Sequence, residues 1–236
     1  MFGEVSDRGA DIINEMLCFS MGALKASSVA FFWIGSAEGQ PVTDAFPVTA
    51  GLAPNYLSHY MESAADIDPL NLSSLVSCRQ GMRSLADCRC DSTDRMRLVR
   101  YETFLRSHGF SDEVDLVMWD DDAPVAALSL YRREGPTFES VDVQWSAVHR
   151  FMQHHLGFHP RIARRREARQ LQRQGGLTTR ELEVALLLRS GASNAAIADE
   201  LGIGLATVRT HVLNVLGKLG IQRRAQVGAM VSRWSA

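Results

Sequence analysis

Three groups of residues in this 236-residue sequence have types and spacing that could do chemistry. Cys78, Cys88 and Cys90 include a Cys-x-Cys pair, which brings two thiolates close enough for redox sensing or a soft metal. Tetrahedral zinc needs four ligands and no nearby His completes the set, so no metal site is expected. His149, His154, His155 and His159 fall on different sides of a helix or in its terminal loop, and read as surface histidines. Tyr56 and Tyr60 lie four apart and share one face of a helix, where two phenols could line a pocket. Asp68 precedes Pro69, a common helix start, so this trio reads equally well as core packing plus a helix cap. The sequence contains no phosphate-binding glycine loop, nucleophile elbow or zinc-peptidase motif, and neither an enzyme nor a cofactor is expected.

The elements that position these residues divide by charge. Residues 1–160 carry 12 Lys and Arg against 22 Asp and Glu, whereas 161–236 carry 13 against 5. The first part should avoid polyanions and the second should attract them. Domains cluster at roughly 100 to 150 residues, so two domains are expected. With 46% apolar and 22% charged residues the chain can bury a core, which excludes disordered and fibrous classes. The acidic start (Glu4, Asp7, Asp11, Glu15), the lack of an apolar run of ~20 residues and the few cysteines predict a cytoplasmic protein with no membrane partner. Arg161, Arg164, Arg165, Arg166, Arg169 and Arg173 face only Glu167 in a segment read as a basic linker helix, 161–176, ended by Gly175-Gly176. That helix is either a solvated face or an extra phosphate contact.

From 177 to 236 the pattern predicts four short helices. Thr178-Thr179-Arg180-Glu181 has the capping-box form and starts the first, which stops at Ser190-Gly191. Ser193 caps the second, and Gly202 and Gly204 bracket a three-residue turn before the third. Two short helices joined this way form a helix-turn-helix, whose second helix enters the DNA major groove. Projected at ~100° per residue, Leu205, Val208, Val212, Val215, Leu216 and Leu219 make the core side of that helix. Ala206, Thr210, Leu213, Asn214 and Gly217 make a shallow outer side, flanked by Thr207, Arg209 and Lys218. Such a face fits a groove, with its shoulders near phosphates and base edges.

The runs Leu177-Thr178-Thr179-Arg180-Glu181, Gly191-Ala192-Ser193-Asn194, Ile197-Ala198, Leu201-Gly202-Ile203, Thr207 to Val212 and Lys218 to Ile221, ending at Arg224, resemble the LuxR-type DNA-binding domain over about 55 residues. The resemblance implies that Thr207, Arg209, Thr210, Leu213 and Lys218 face DNA, with Ser193 and Arg224 near its backbone. Ala196 and Gly204 depart from the family, which usually has an acidic residue and a capping Ser there. His211 reads as a half-buried helix residue, and the last helix (Ala225, Val227, Met230, Val231, Trp234) resembles the family's dimerisation helix, though its apolar side fits the core of the domain equally well.

In residues 1–160 the pattern predicts a helix over 5–24, strands at Ser28–Ile34 and Val42–Val48, and helices at 53–65 and 92–107. Strands at Glu113–Trp119 and Pro124–Tyr131 follow, joined by a hairpin turn at Asp120-Asp121-Asp122, then a helix over 138–156. That order suggests an α+β fold, an antiparallel sheet flanked by helices as in PAS and GAF sensor domains, followed by an all-α helix-turn-helix domain. Lys25, the single Lys before 160, precedes every candidate Asp, which excludes a phosphate-accepting receiver.

Tyr56 to Tyr60 with Asp68-Pro69, Phe104 to Phe110 and Leu128 to Arg132 resemble the LuxR-type autoinducer-binding domain. The resemblance assigns Tyr56, Tyr60, Asp68 and Trp33 to a ligand pocket. Tyr56 stands where the family has Trp, the interval from Tyr60 to Asp68 is one residue short, and no Trp lies between Trp33 and Trp119; these departures point away from a standard acyl-homoserine lactone. The expectation is a one-component regulator: a sensor or dimerisation domain over 1–160, a linker helix over 161–176 and a DNA-binding domain over 177–236. Its expected partners are double-stranded DNA, a second copy in a homodimer and a small-molecule ligand. The alternative is a ligand-independent regulator whose first half is a dimerisation or protein-interaction module.

Overall fold

A computed structural model of the chain describes residues 8–37, 40–44, 47–77, 79–91, 94–133, 135–140 and 143–234, with the side chains of 36, 37, 40, 140 and 231–234 outside the description. Two compact units are present, Met1–His159 and Pro160–Ala236. Cys78 and the side chain of Trp234 lie outside the described residues.

In the first unit the chain runs α1 (Arg8–Gly22), β1 (Ser28–Ala37), β2 (Gln40–Thr43), β3 (Val48–Ala50), α2 (Tyr56–Ser63), α3 (Leu72–Ser77), β4 (Met82–Ser84), α4 (Leu85–Asp91), α5 (Arg95–Ser107), β5 (Asp112–Asp120), β6 (Ala123–Arg132), a 3-10 turn (Phe138–Ser140) and α6 (Trp145–Leu156). The six strands form one antiparallel sheet, ordered β2-β1-β6-β5-β4, with β3 also paired to β1. This is the helix-flanked antiparallel sheet that the sequence predicts. The single strand expected over 42–48 is two short ones, β2 and β3, on the same edge of β1. The expected hairpin turns at Asp121-Asp122, with Asp121 at φ 56°. The helix expected over 138–156 is interrupted, because the Asp112 carboxylate accepts the Phe138 backbone N–H at 2.7 Å and anchors a separate 3-10 turn.

Side chains alternate between sheet faces, and residues directly opposite on antiparallel strands share one. Phe32 pairs with Ala127, Ala30 with Ser129, Glu113 with Tyr131, and Asp115 with both Ser129 and Arg83, so all of these project to one side. That side meets Tyr56, Leu70, Leu98, Tyr101 and Leu105 in a buried cluster. Val29, Phe31 and Trp33 take the opposite side, where α1 and α6 pack on β1 and β5. Two side chains of α6 fasten it to the sheet: His149 Nε2 lies 2.7 Å from the Val117 carbonyl, and Gln153 accepts the Trp119 N–H at 3.2 Å. A Cβ at Gly81 would come within 2.7 Å of the His149 ring, so this close approach needs glycine.

Arg132, at the end of β6, is 3% exposed. Its guanidinium donates to the carbonyls of Leu24, Pro136 and Thr137 and covers the Phe138 ring at 4.3 Å. It thereby ties the end of the hairpin to two loops.

The second unit contains α7 (Pro160–Gly175), α8 (Thr179–Arg189), α9 (Asn194–Leu201), α10 (Leu205–Lys218) and α11 (Gln226–Trp234). Leu171, Leu177, Val184, Ala185, Leu188, Ile197, Val208, Val215, Leu219 and Val227 form its core. The basic segment read as a linker is a helix that joins this core through Leu171, and its Glu167 is buried in an ion pair with Arg189 of α8. Gly175 fits because a Cβ there would lie 2.7 Å from Leu219 Cδ2.

Arg132→Leu should lower the unfolding free energy by roughly 1–3 kcal/mol, because it leaves the carbonyls of Leu24, Pro136 and Thr137 without their donor. Urea denaturation followed by near-ultraviolet circular dichroism measures this.

Candidate functional site

Two places in the molecule gather functional side chains. The first is the outer side of α10. Thr178 accepts the backbone N–H of Glu181, and Glu181 accepts that of Thr178, forming the expected capping box at the start of α8. Ser193 caps α9 by accepting the Ala196 N–H at 3.1 Å. Gly202 ends α9 at φ 60°, and Gly204 starts α10 with no side-chain cap. The turn between them sets α10 across α8 and α9.

Val208, Val215 and Leu219 are buried, while Val212 and Leu216 are half-buried against the same core. Leu205, expected among them, is instead 42% exposed at the first position of α10. On the other side Ala206, Thr207, Arg209, Thr210, Leu213, Asn214 and Gly217 are all exposed, Leu213 at 69%. The Thr210 hydroxyl donates back to the Ala206 carbonyl at 3.2 Å, and Arg209 has no hydrogen bond or ion pair among the described residues. His211 is half-buried, as expected.

Lys218 and Arg224 are engaged within the fold. The Lys218 ammonium donates to Glu181 Oε2 at 2.6 Å and to the Gly176 carbonyl at 3.1 Å, binding the end of α10 to the start of α8. That contact, with the capping-box bonds, holds the Glu181 carboxyl down at about 2. The Arg224 guanidinium donates to the Ala192 carbonyl beside the α9 cap.

The second place is a cavity of about 660 Å³ in the first unit, within the usual size range of small-molecule sites. Its floor is the sheet face bearing Phe32, Ala127, Ser129, Tyr131, Glu113 and Asp115, and its walls come from β2 and the loop after it, α2 and α3. Tyr60 and Asp68 both line it. The Tyr60 hydroxyl donates to Asp68 Oδ2 at 2.6 Å, and Asp68 Oδ1 accepts the Leu70 N–H at 2.7 Å. Asp68 therefore shapes a loop rather than capping a helix; Asn71 caps α3 by accepting the Ser74 N–H at 3.0 Å.

Tyr56 and Trp33, grouped with them in the sequence, are absent from this lining. Tyr56 is 1% exposed and packs edge-on against Phe110 and Tyr131 beneath the cavity. Trp33 sits on the opposite sheet face, edge-on to Phe31 at 5.1 Å and to His159 at 4.6 Å. The physical reason is register: Trp33 is one residue past Phe32, and neighbours on a strand face opposite ways.

Sequence reasoning missed Glu113, Asp115 and Ser129. The alternation Glu113-Val114-Asp115-Leu116 looks like a strand with one wet face. Here both faces are covered and the acids are buried, Glu113 at 1% and Asp115 at 7% exposure. Burial and the neighbouring carboxylates push both well above the ordinary carboxylate range. Burial likewise raises Asp68, to about 6, against the opposing pull of Tyr60, the Leu70 N–H and Arg97. Tyr101 donates to Glu113 Oε2 at 2.6 Å.

The histidines do not assemble: His149 holds β5, His155 lies 2.8 Å from Glu15, and His154 packs edge-on to Phe158. No group of three or more metal-ligating side chains occurs among the described residues. Cys88 is buried, which pushes its thiol up to about 11, while Cys90 is exposed. No described helix is long and apolar enough to cross a membrane.

A helix-flanked antiparallel sheet with an internal cavity, followed by a separate helix-turn-helix unit, defines the class: a two-domain chain whose second domain has the build of a DNA reader. Residues 176–231 match the family model described as bacterial regulatory proteins, luxR family, and form a helix-turn-helix domain of that family. Two curated relatives, each described as HTH-type transcriptional regulator MalT and from different strains of Klebsiella pneumoniae, are 37% identical over 83 residues. The match covers 35% of this chain and spans only 9% of the length of those relatives. Among solved structures, SdiA in complex with octanoyl-rac-glycerol is 17% identical and covers 97% of this chain and 89% of that one, with a TM-score of 0.48. Escherichia coli SdiA is 16% identical, covering 97% and 92%, at 0.47. A GAF domain/HD domain protein from Geobacter sulfurreducens is 17% identical, covering 66% and 95%, at 0.45.

Two outcomes are expected. Lys218→Met should destabilise the second unit by about 1 kcal/mol at neutral pH. Glu181 is depressed in the folded state, so its stabilisation is fully present above the ordinary range near ~4.3 and is lost as pH falls through about 2; the variant's deficit should shrink over that window in thermal melts. Asp115 is raised, so the folded state binds more protons than the unfolded one and stability falls as pH rises above the ordinary range. Asp115→Asn should therefore raise the melting temperature by about 2–4 °C at neutral pH, with a smaller gain near ~pH 4.

Proposed function

We propose that this chain is a one-component transcriptional regulator that binds double-stranded DNA as a homodimer through α10 and answers to a small molecule held in the cavity of its first domain. One observation carries the reading of DNA: the side of α10 away from the core is exposed, low in relief, and bears Arg209 with no partner among the described residues. Thr207, Arg209, Thr210 and Leu213 are proposed to meet base edges and thymine methyls, with Ser193 and Arg224 near the backbone. Lys218 has a smaller part in this reading than the sequence gives it, since its ammonium already binds Glu181. The cavity, with Tyr60 and Asp68 in its wall, supports the small-molecule half of the proposal.

The alternative reading, a ligand-independent interaction module, has one observation in its favour. Phe151, midway along α6, and Phe158, two residues past its end, are 46% and 57% exposed, as side chains that meet a protein partner would be. Mass spectrometry of small molecules extracted from the purified protein separates the two readings. A co-purified compound supports the first, and its absence with no thermal shift across a ligand panel supports the second.

Selection of duplexes from a random pool should yield a near-palindromic site. On that site Arg209→Ala should weaken binding by roughly 1–3 kcal/mol, with an unchanged melting temperature. The logarithm of affinity should fall with log salt at a slope of about −0.9 per phosphate contact, measured by fluorescence anisotropy. Unchanged affinity in the variant would refute this assignment of the reading face.

A further inference from the structure

The cavity has an unusual electrostatic character for a site with apolar walls. Asp44, Asp68, Glu113 and Asp115 line it, and no Lys, Arg or His does so among the described residues. The apolar lining comes from Phe32, Pro47, Leu57, Met61, Leu70 and Leu72. Buried carboxylates normally have a cation or a set of donors facing them. Some of that need is met: Tyr60 donates to Asp68 and Tyr101 to Glu113, each at 2.6 Å. For Asp115 it is met in part: Ser129 hydrogen-bonds to the carboxyl group, while its Oδ1 is buried with no hydrogen-bond partner among the described residues.

Neither of the two guanidinium groups near the acids lines the cavity. Arg83 stands opposite Asp115 in the β4–β5 register, yet its Nη1 approaches the Ser74 hydroxyl at 3.5 Å. Arg97 donates to the Asp68 backbone carbonyl at 3.0 Å and is not part of the lining. The phenol of Tyr131 shares the floor with Glu113.

From the cavity, its acidic floor, its apolar walls and the unpartnered Asp115 oxygen, we infer that the ligand is an amphipathic amine. Its ammonium faces Glu113 and Asp115, and its apolar part lies along α2 and α3. This inference rests on the reading of the cavity as a ligand site and adds the charge of what fills it.

A cation within about 4–6 Å of these carboxylates favours their ionised forms, so groups that hold protons in the empty cavity release them on binding. The protons come from Asp68, Glu113 and Asp115, each raised by burial, with Asp44, the Tyr60, Tyr101 and Tyr131 phenols and the Arg83 and Arg97 guanidinium groups as the surrounding titratable and charged side chains. Because binding releases protons, amine affinity rises with pH while the amine stays an ammonium. A neutral compound of the same shape shows no such rise.

The test uses n-octylamine and n-octanol as probes on the full chain, by thermal shift and by titration calorimetry in two buffers of different ionisation enthalpy. Octylamine should bind with proton release and with affinity increasing between about pH 5 and 8, and octanol at least about tenfold more weakly. Asp115→Asn and Glu113→Gln should each lose about tenfold or more in octylamine affinity while melting at or above the wild-type temperature. Equal binding of octanol and octylamine, or equal octylamine affinity in wild type and both variants, overturns the charge preference and leaves the cavity a ligand site. Binding of neither probe overturns this inference, and if no co-purified compound occupies the cavity it overturns the small-molecule reading as well. The pH profile of the wild type decides the matter even if a variant fails to fold.

Discussion

A short helix that must bury one side and present the other governs the second domain. The 14 residues of α10 make about four turns, and Val208, Val215 and Leu219 anchor its inner side in the core. With those three positions fixed, helical geometry places Thr207, Arg209, Thr210 and Leu213 away from that core. Rotation about the helix axis is resisted at the far end by Lys218, which reaches the capping-box carboxylate of Glu181. One carboxylate therefore both starts α8 and secures α10. Placing α10 in the DNA groove would leave these contacts intact.

A different periodicity rules the first domain. Along β5 and β6, two-residue alternation carries Glu113, Asp115, Ser129 and Tyr131 to one face and the core aliphatics Val114, Leu116, Leu128 and Leu130 to the other. A slip of one residue would exchange the two sets, placing carboxylates against α1 and α6. The long β5–β6 ladder, closed by Arg132 at one end and the Asp121-Asp122 turn at the other, holds that register. The arrangement is costly, since buried acids near one another prefer their protonated forms. Under the proposed function, that floor and the cavity above it are where the small molecule would bind.

Much of this was legible in the sequence where local rules suffice. The capping box at Thr178, the Ser193 cap, the Gly202 stop and the spacing of valines along α10 are short-range features, and each corresponds to an observed element. The strands at 28–34, 113–119 and 124–131 were equally plain from β-branched and aromatic runs. Long-range pairing was less so. Whether Trp33 or Phe32 faces the cavity depends on which helices cover which side of β1, which no local pattern states. The acids of β5 carry no local sign of burial, since alternation with polar residues ordinarily means solvent. Helices α3 and α4 and strand β4 escaped notice because each is only 3 to 7 residues long and draws its stability from tertiary contacts.

The proposed function requires α10 to enter duplex DNA by its exposed side. Hydrogen–deuterium exchange of the full chain, with and without a duplex selected from a random pool, tests it most directly, because it reports where the protein is covered without altering any residue. Slowed exchange is expected in the first turns of α9 and α10, around Ser193 and Gly204 to Thr210. Protection confined to the arginine-rich helix α7, with α10 exchanging as in the free protein, would contradict it.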